Sequence, residues 1–331
     1  MKTTLYQTLL ATAVGDAYGL PYENLSPRRA KKWLRPRRYA LLPFIHGGMV
    51  SDDTEHAVLT VQAYIASADE PNAFRRKLRG QLRWWLLALP VNCGMATLKG
   101  CLKICLGLQN TGTWSAGNGA AMRAPVLGIL CNDVNQLAEL VHISTATTNS
   151  DPQAEHAAYA LALLAHAEYY FSNQSVEQKW AWLGERVHAD LWAHIHAYQP
   201  DPKHGITGYA YHTVAAVFQA WRQFRDNPLV GLDFLCECGG DTDTTCALFA
   251  GVVGGKHGVT LFDEMAGAWC EPVLCPDFFE QLATQAARVA QTRQPEKTVR
   301  WGGVRTILRN AVFAAIVAAV LIGLSLFFQA A

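Results

Sequence analysis

Two short acidic runs hold the residues best suited to chemistry: Ser51-Asp52-Asp53-Thr54-Glu55 and Gly239-Gly240-Asp241-Thr242-Asp243-Thr244-Thr245. Each puts two aspartates and flanking hydroxyls where an irregular segment enters an apolar helix. Carboxylate and hydroxyl oxygens suit hard divalent cations, and Mg2+ in particular takes few protein carboxylates and keeps waters. Four carboxylates gathered at one point repel unless cations sit between them. The simpler reading of either run is a helix cap, because Ser, Asp and Thr are ordinary N-caps and acids in a first turn complement the helix dipole. The second run favours metal: Asp241 and Asp243 follow two glycines and lead into 246–255, which is apolar all round and therefore expected to be buried. Carboxylates at the mouth of a buried helix need partners.

Two further stretches have chemical potential. Gly15-Asp16-Ala17-Tyr18-Gly19 ends a helix in two glycines and delivers Glu23 four residues after the second. Its simpler reading is a glycine C-cap followed by a surface Glu. Ser115-Ala116-Gly117-Asn118-Gly119 is a flexible turn opening into a helix, and backbone N–H groups at such a start cradle phosphate or sugar oxygens. Many glycine turns bind nothing, so this one alone names no ligand. His194 and His196 point in different directions on a helix and have no acidic run beside them, so they read as surface or core residues.

The elements that must position these groups are helices. Apolar spacing predicts them over 4–17, 54–68, 74–89, 98–108, 120–131, 134–144, 153–171, 176–193, 211–225, 229–238 and 277–291, while alternating runs of Val, Ile and Thr are scarce. With half of its 331 residues hydrophobic, the chain can bury a sizeable core, and the fold class expected is all-α. A net charge of +1 gives no argument for nucleic acid. The nine cysteines are scattered without a Cys-x-x-Cys pair, as expected of reduced thiols in a cytoplasmic compartment. Arg28, Arg29, Lys31, Lys32, Arg35, Arg37 and Arg38 crowd one segment broken by Pro36, which reads as a solvated connection, with a phosphate- or lipid-binding patch as the alternative.

The C-terminal part differs from the rest. Ala311 to Phe328 is 18 consecutive residues without a charge. At the helical rise this spans roughly 27 Å, near the thickness of a hydrocarbon core. Lys297, Arg300, Arg305 and Arg309 precede it, so the positive-inside bias puts the N-terminal part in the cytoplasm. The organisation expected is a catalytic domain over 1–291, a polar linker over 292–306 and a transmembrane anchor over 307–331. The other reading of the tail is a packed C-terminal helix. On the anchor reading, deletion after Val299 should leave a soluble, active protein.

The order of motifs resembles the ADP-ribosylglycohydrolase family, which includes the dinitrogenase reductase-activating glycohydrolase. The resemblance spans about 9–258 and rests on GDAYGLPYE, SDDTE, SAGNGAAMRAPVLGI, TTNSDPQAEHAA, TGYAYHTVAAVFQAW and CGGDTDTTCALFAGVVGGKHG. It implies a compact all-α fold with two Mg2+ ions, or Mn2+ in some members, in a cleft. The implied metal ligands are Ser51, Asp52, Asp53, Asp241, Asp243 and Thr244. Glu23 matches a family glutamate near the cleft and, with Asp53, is the implied catalytic residue. The turn Ser115, Gly117, Asn118 and Gly119 matches the segment that holds ADP-ribose, and Asn149 is the matching sugar or acceptor contact. Cleaving a ribosyl bond builds oxocarbenium-like charge and needs a water on the opposite face, and paired metals can orient that water.

Three positions depart from the family pattern. Many relatives carry an Asp-Ile-Gly element where this chain has Asn92-Cys93-Gly94. Asn149 stands where a histidine is frequent, and Ser51 replaces a usual threonine but keeps the hydroxyl. The function expected is Mg2+-dependent release of ADP-ribose from an acceptor, a protein side chain first, at the cytoplasmic face of a bacterial inner membrane reached through the C-terminal helix. The alternative is a membrane-anchored ADP-ribose-binding protein without turnover.

Overall fold

The computed structural model describes residues 1–33, 48–90, 93–264, 271–299, 304, 306–315 and 318. These residues are helical with no strand; isolated bridges such as Ile206 with Gly240 are the only β-type pairing among them. In chain order the helices are α1 Lys2–Gly19, α2 Pro27–Trp33, α3 Asp52–Ile65, α4 Pro71–Leu87 and α5 Met95–Cys105. Then come α6 Ala124–Leu130, α7 Val134–Ala146, α8 Pro152–Tyr170, α9 Val176–Gly184 and α10 Ala189–Ala197. The set closes with α11 Ala210–Phe224, α12 Pro228–Cys238, α13 Thr242–Glu264 and α14 Pro276–Thr292, followed by α15 Thr306–Ala315.

Three expectations need correction. The stretch 176–193 is two helices, because Gly184 ends α9 against the Trp192 ring and His188 starts α10 by accepting a bond from Asp190 N. The segment 120–131 begins as a tight 3-10 turn, Asn118–Arg123, before α6. Arg28, Arg29, Lys31 and Lys32 lie on a short helix, α2, started by Pro27; Arg35, Arg37 and Arg38 fall outside the described residues.

α1 and α13 lie lengthwise against each other at the centre of the fold. Small residues let the two backbones close: a Cβ on Gly15 would sit 2.3 Å from the Cys246 carbonyl oxygen, and one on Gly19 would sit 2.2 Å from that of Thr242. Thr242 Oγ1 donates to the Gly19 carbonyl at 2.8 Å. The end of α1 is thereby held against the start of α13. Because the obstacle is backbone on both sides, Gly19→Ala should destabilise the fold by about 3 kcal/mol, lowering Tm on the order of 8 °C for a domain of this size. A melting curve superposable on wild type would contradict that packing.

Among the described residues one helix, Thr242–Asp263, is long and apolar enough to cross a membrane, with 67% of its most apolar window buried inside the protein. It is the central core helix. The expected anchor is described only through α15 and residue 318; the remainder of 307–331 lies outside the described residues, as do Arg300 and Arg305. Thr306, Arg309, Asn310 and Phe313 are buried, whereas Ile307, Leu308 and Val312 are exposed. α15 thus turns its polar residues inward and its aliphatic ones outward.

Candidate active site

The site is assembled by three chain turns that the α1–α13 seam brings to one place. Ser51 caps α3, its Oγ accepting from Asp53 N at 3.3 Å, so the cap reading of this run holds. The same Oγ donates to Asp53 Oδ2 at 3.1 Å. Thr244 Oγ1, 191 positions away, donates to that oxygen at 3.2 Å. The two acidic runs therefore meet. Asp53 Oδ1 is buried without a partner.

Gly239 and Gly240 supply the turn that lets α12 end and α13 begin in so little space. Both have left-handed φ, +67° and +85°, and a Cβ on Gly240 would lie 2.0 Å from the Ile206 carbonyl oxygen. Only glycine is comfortable under both constraints. Asp241 N then bonds Ile206 O at 2.7 Å, and Asn24 N bonds Gly240 O at 2.7 Å. That second bond ties the Glu23 turn to the start of α13.

The Ser115 to Gly119 turn closes another side. Asn118 N donates to Gly208 O at 3.0 Å, and Asn118 Nδ2 donates to Asp241 Oδ2 at 2.6 Å and to Thr213 Oγ1 at 3.0 Å. Together these segments line a cleft of about 820 Å³ that takes in Glu23, Asp52, Asp241, Asp243, Thr244, Ser115, Gly117, Asn118 and Gly119. That volume is in the range of small-molecule sites. Lys203 and His204 stand on its wall, presented by a turn in which Asp201 Oδ1 accepts from both of their backbone N–H groups.

Not every expected residue reaches the cleft. Ser51 and Asp53 are buried behind its surface. Asn149 is also buried: its Nδ2 donates to Ser115 O at 3.1 Å and Gly117 O at 3.4 Å, so it shapes the turn from beneath. Cys93 and Gly94 line the cleft, while Asn92 lies outside the described residues.

Electrostatically this is a crowded acidic nest. Burial pushes the Asp52, Asp53 and Asp243 carboxyls well above the usual range, and neighbouring carboxylates push them further: Glu55 and Asp16 for Asp52, Asp16, Asp52 and Asp241 for Asp53, and Glu23 and Asp241 for Asp243. No Lys, Arg or His among the described residues forms an ion pair with Asp52, Asp53, Asp241 or Asp243. All the donors are hard oxygens, and an orphaned carboxylate oxygen sits among them, so the chemistry of the set fits a divalent cation. Among the described residues no three His, Cys, Asp or Glu side chains converge on a single ion-sized point.

Sequence reasoning assigned no role to Asp16, which proves central. Its buried carboxylate accepts from Ser51 N at 2.9 and 3.0 Å, from Thr54 N at 3.1 Å and from Thr54 Oγ1 at 2.5 Å. Burial raises its pKa to about 6, against the lowering effect of those bonds. The available signal was a lone aspartate in an otherwise apolar helix. Arg123 was likewise quoted without a role. It is fully buried and bonds Ser144 and Thr148 Oγ1, which fixes the segment leading to Asn149; burial lowers its pKa to about 10.

An all-helical fold whose paired central helices, α1 and α13, bring two acidic turns to a glycine-lined cleft defines a class of protein. The sequence pattern of the ADP-ribosylglycohydrolase family matches residues 3–296, and the chain belongs to that family of hydrolases. An uncharacterized protein of Archaeoglobus fulgidus is 25% identical over 308 residues, covering 86% of this chain and 96% of its own length. A solved structure titled ADP-ribosylglycohydrolase-related protein complex superposes with a TM-score of 0.65 at 22% identity, over 87% of this chain and 98% of that one. The likeness to the solved structure establishes the shared fold. Family membership supports a glycohydrolase activity on ADP-ribosyl compounds.

Proposed function

We propose that this protein hydrolyses the C1 ribosyl bond of an ADP-ribosylated acceptor, a protein side chain, and that it needs Mg2+ or Mn2+ to do so. The observation that carries this reading is the Thr244 Oγ1 to Asp53 Oδ2 contact, which joins the two acidic runs at the base of the cleft. Ser51, Asp52, Asp53, Asp241, Asp243 and Thr244 would hold two cations there. When bound, such cations supply Lewis acidity to sugar oxygens and acidify water.

The chain's own residues account for the rest of the chemistry. Asn118 anchors Asp241, and the turn that carries it, with Gly117 and Gly119, would form the wall against which the ADP-ribose lies. Half-buried Glu23 lines the cleft near Asp243 and would transfer a proton to or from the departing acceptor. Purified protein should release free ADP-ribose from arginine- or serine-ADP-ribosylated protein, lose that activity with EDTA and regain it with Mg2+. Release that is indifferent to chelation would remove the metal from the mechanism, and no release from any ADP-ribosylated acceptor would leave a binding protein.

We further propose that the tail seats the domain on the cytoplasmic face of the membrane. The 18-residue uncharged stretch Ala311 to Phe328 and the outward aliphatic face of α15 support this. Full-length protein should sediment with membranes and resist alkaline carbonate. Leu321→Arg with Leu324→Arg, each costing about 3 kcal/mol at a bilayer centre, should release it. Equal retention of both forms would place the attachment elsewhere.

A further inference from the structure

Past α14 the chain does not simply leave the domain; it returns along α3. Glu296 N bonds Ile65 O at 3.0 Å at the far end of that helix. Val299 O accepts from Gln62 Nε2 at 2.7 Å, about one turn nearer the acidic run. α15 then delivers Arg309 to the first turn of α3. There Arg309 Nη1 donates to Glu55 Oε1 at 2.7 Å, and Nη2 donates to the Val50 carbonyl. Those two contacts bracket Ser51, Asp52 and Asp53.

The guanidinium is saturated. Its Nε and Nη2 also bond Glu271 Oε2, at 3.0 and 2.8 Å, and Nη1 bonds Asn310 Oδ1 at 3.0 Å, so all five donors are used. The other Glu55 oxygen accepts from Trp85 Nε1 at 2.6 Å, and Asn310 Nδ2 donates to Ala88 O at 2.8 Å. The side chains of Arg309, Glu55 and Glu271 are only 5%, 3% and 0% exposed. A buried cation with this many directed bonds specifies geometry more than it adds stability.

We propose that Arg309 is a positioning residue: by clamping Val50 and Glu55 from the tail, it sets the turn that carries Ser51, Asp52 and Asp53 and so sets the affinity of the site for divalent cations. This rests on the reading of those residues as cation ligands. It gives the C-terminal segment a part in the active site, and it replaces the expectation that deletion after Val299 is harmless, since that deletion strands two buried glutamates.

Electrostatics and positioning predict opposite signs. Removing a positive charge near the nest would by itself tighten cation binding; losing the clamp weakens it. Mn2+ titration of the full chain in detergent micelles, read by electron paramagnetic resonance, separates them. Arg309→Met should raise the Mn2+ Kd about tenfold or more, as loss of groups that orient metal ligands does. Arg309→Lys keeps the charge and the pairing that lets the core form but not the five-donor fork; it should raise Kd several-fold with unchanged helix content by circular dichroism. An unchanged or lower Kd in Arg309→Lys overturns the proposal while leaving the cation site standing. Wild-type protein that binds no Mn2+ sinks both.

Discussion

Asp241→Asn should lower the rate of ADP-ribose release by about a thousandfold, equivalent to roughly 4 kcal/mol of transition-state stabilisation, without unfolding the protein. Asp241 lies on the cleft with one oxygen held by Asn118 Nδ2, and an Asn side chain keeps that acceptor while losing the charge. Stability should respond in the opposite direction to activity. In metal-free protein Asp241 is one of the charges that push Asp53 and Asp243 upward. Removing it relieves like-charge repulsion, so the metal-free variant should melt no lower than metal-free wild type. Mg2+ should then raise the Tm of wild type, because a ligand that binds only the folded state stabilises it, and should leave the variant almost unmoved. Calorimetric scans with and without Mg2+, run beside the release assay, check both halves. A variant that loses Tm and activity together would make Asp241 a structural cap.

Asp16→Asn should behave differently, costing both stability and activity. The buried Asp16 carboxylate accepts from Ser51 N, Thr54 N and Thr54 Oγ1 and so fastens the acidic end of α3 to the core. An amide has one acceptor oxygen and would turn an N–H toward one of these donors. Losing charged, buried bonds of this kind costs about 1.5–3 kcal/mol each. Because Asp52 and Asp53 ride on the same turn, a displacement of 1 Å there should cut turnover about a hundredfold. Thermal melts and release assays on Asp16→Asn and Asp241→Asn together separate the residue that shapes the site from the one that fills it. Equal stability of Asp16→Asn and wild type would show that the tether is dispensable.

The parts of this protein that were legible in its sequence are those set by neighbours in the chain. Apolar periodicity located the long helices α1, α8 and α11 because each buries a face or its whole girth in the core. The acidic runs were legible because side-chain caps, glycines of positive φ and apolar continuations are local signals. Contacts between distant segments left no such trace. The grip of Asp16 on Ser51 and Thr54 depends on α1 lying beside α3. The task of Asn149 depends on the 115–119 turn resting over it, so a residue expected at the sugar instead holds the loop. The inward polar face of α15 left no trace in the sequence either, because Arg309 and Asn310, at the edge of the apolar stretch, find their partners on α3, at the end of α4 and on Glu271. Short elements were lost for a different reason: α2 spans too few residues for a periodic pattern to stand out from its charges.

Divalent cations should sit where the two acidic runs meet, and anomalous diffraction from crystals soaked in Mn2+ reads that directly. Two peaks about 3.5–4 Å apart, one against Asp52 and Asp53 and the other against Asp241, Asp243 and Thr244, are the result expected. A cleft without anomalous density at saturating Mn2+, or density bound only to residues outside these two runs, would contradict it.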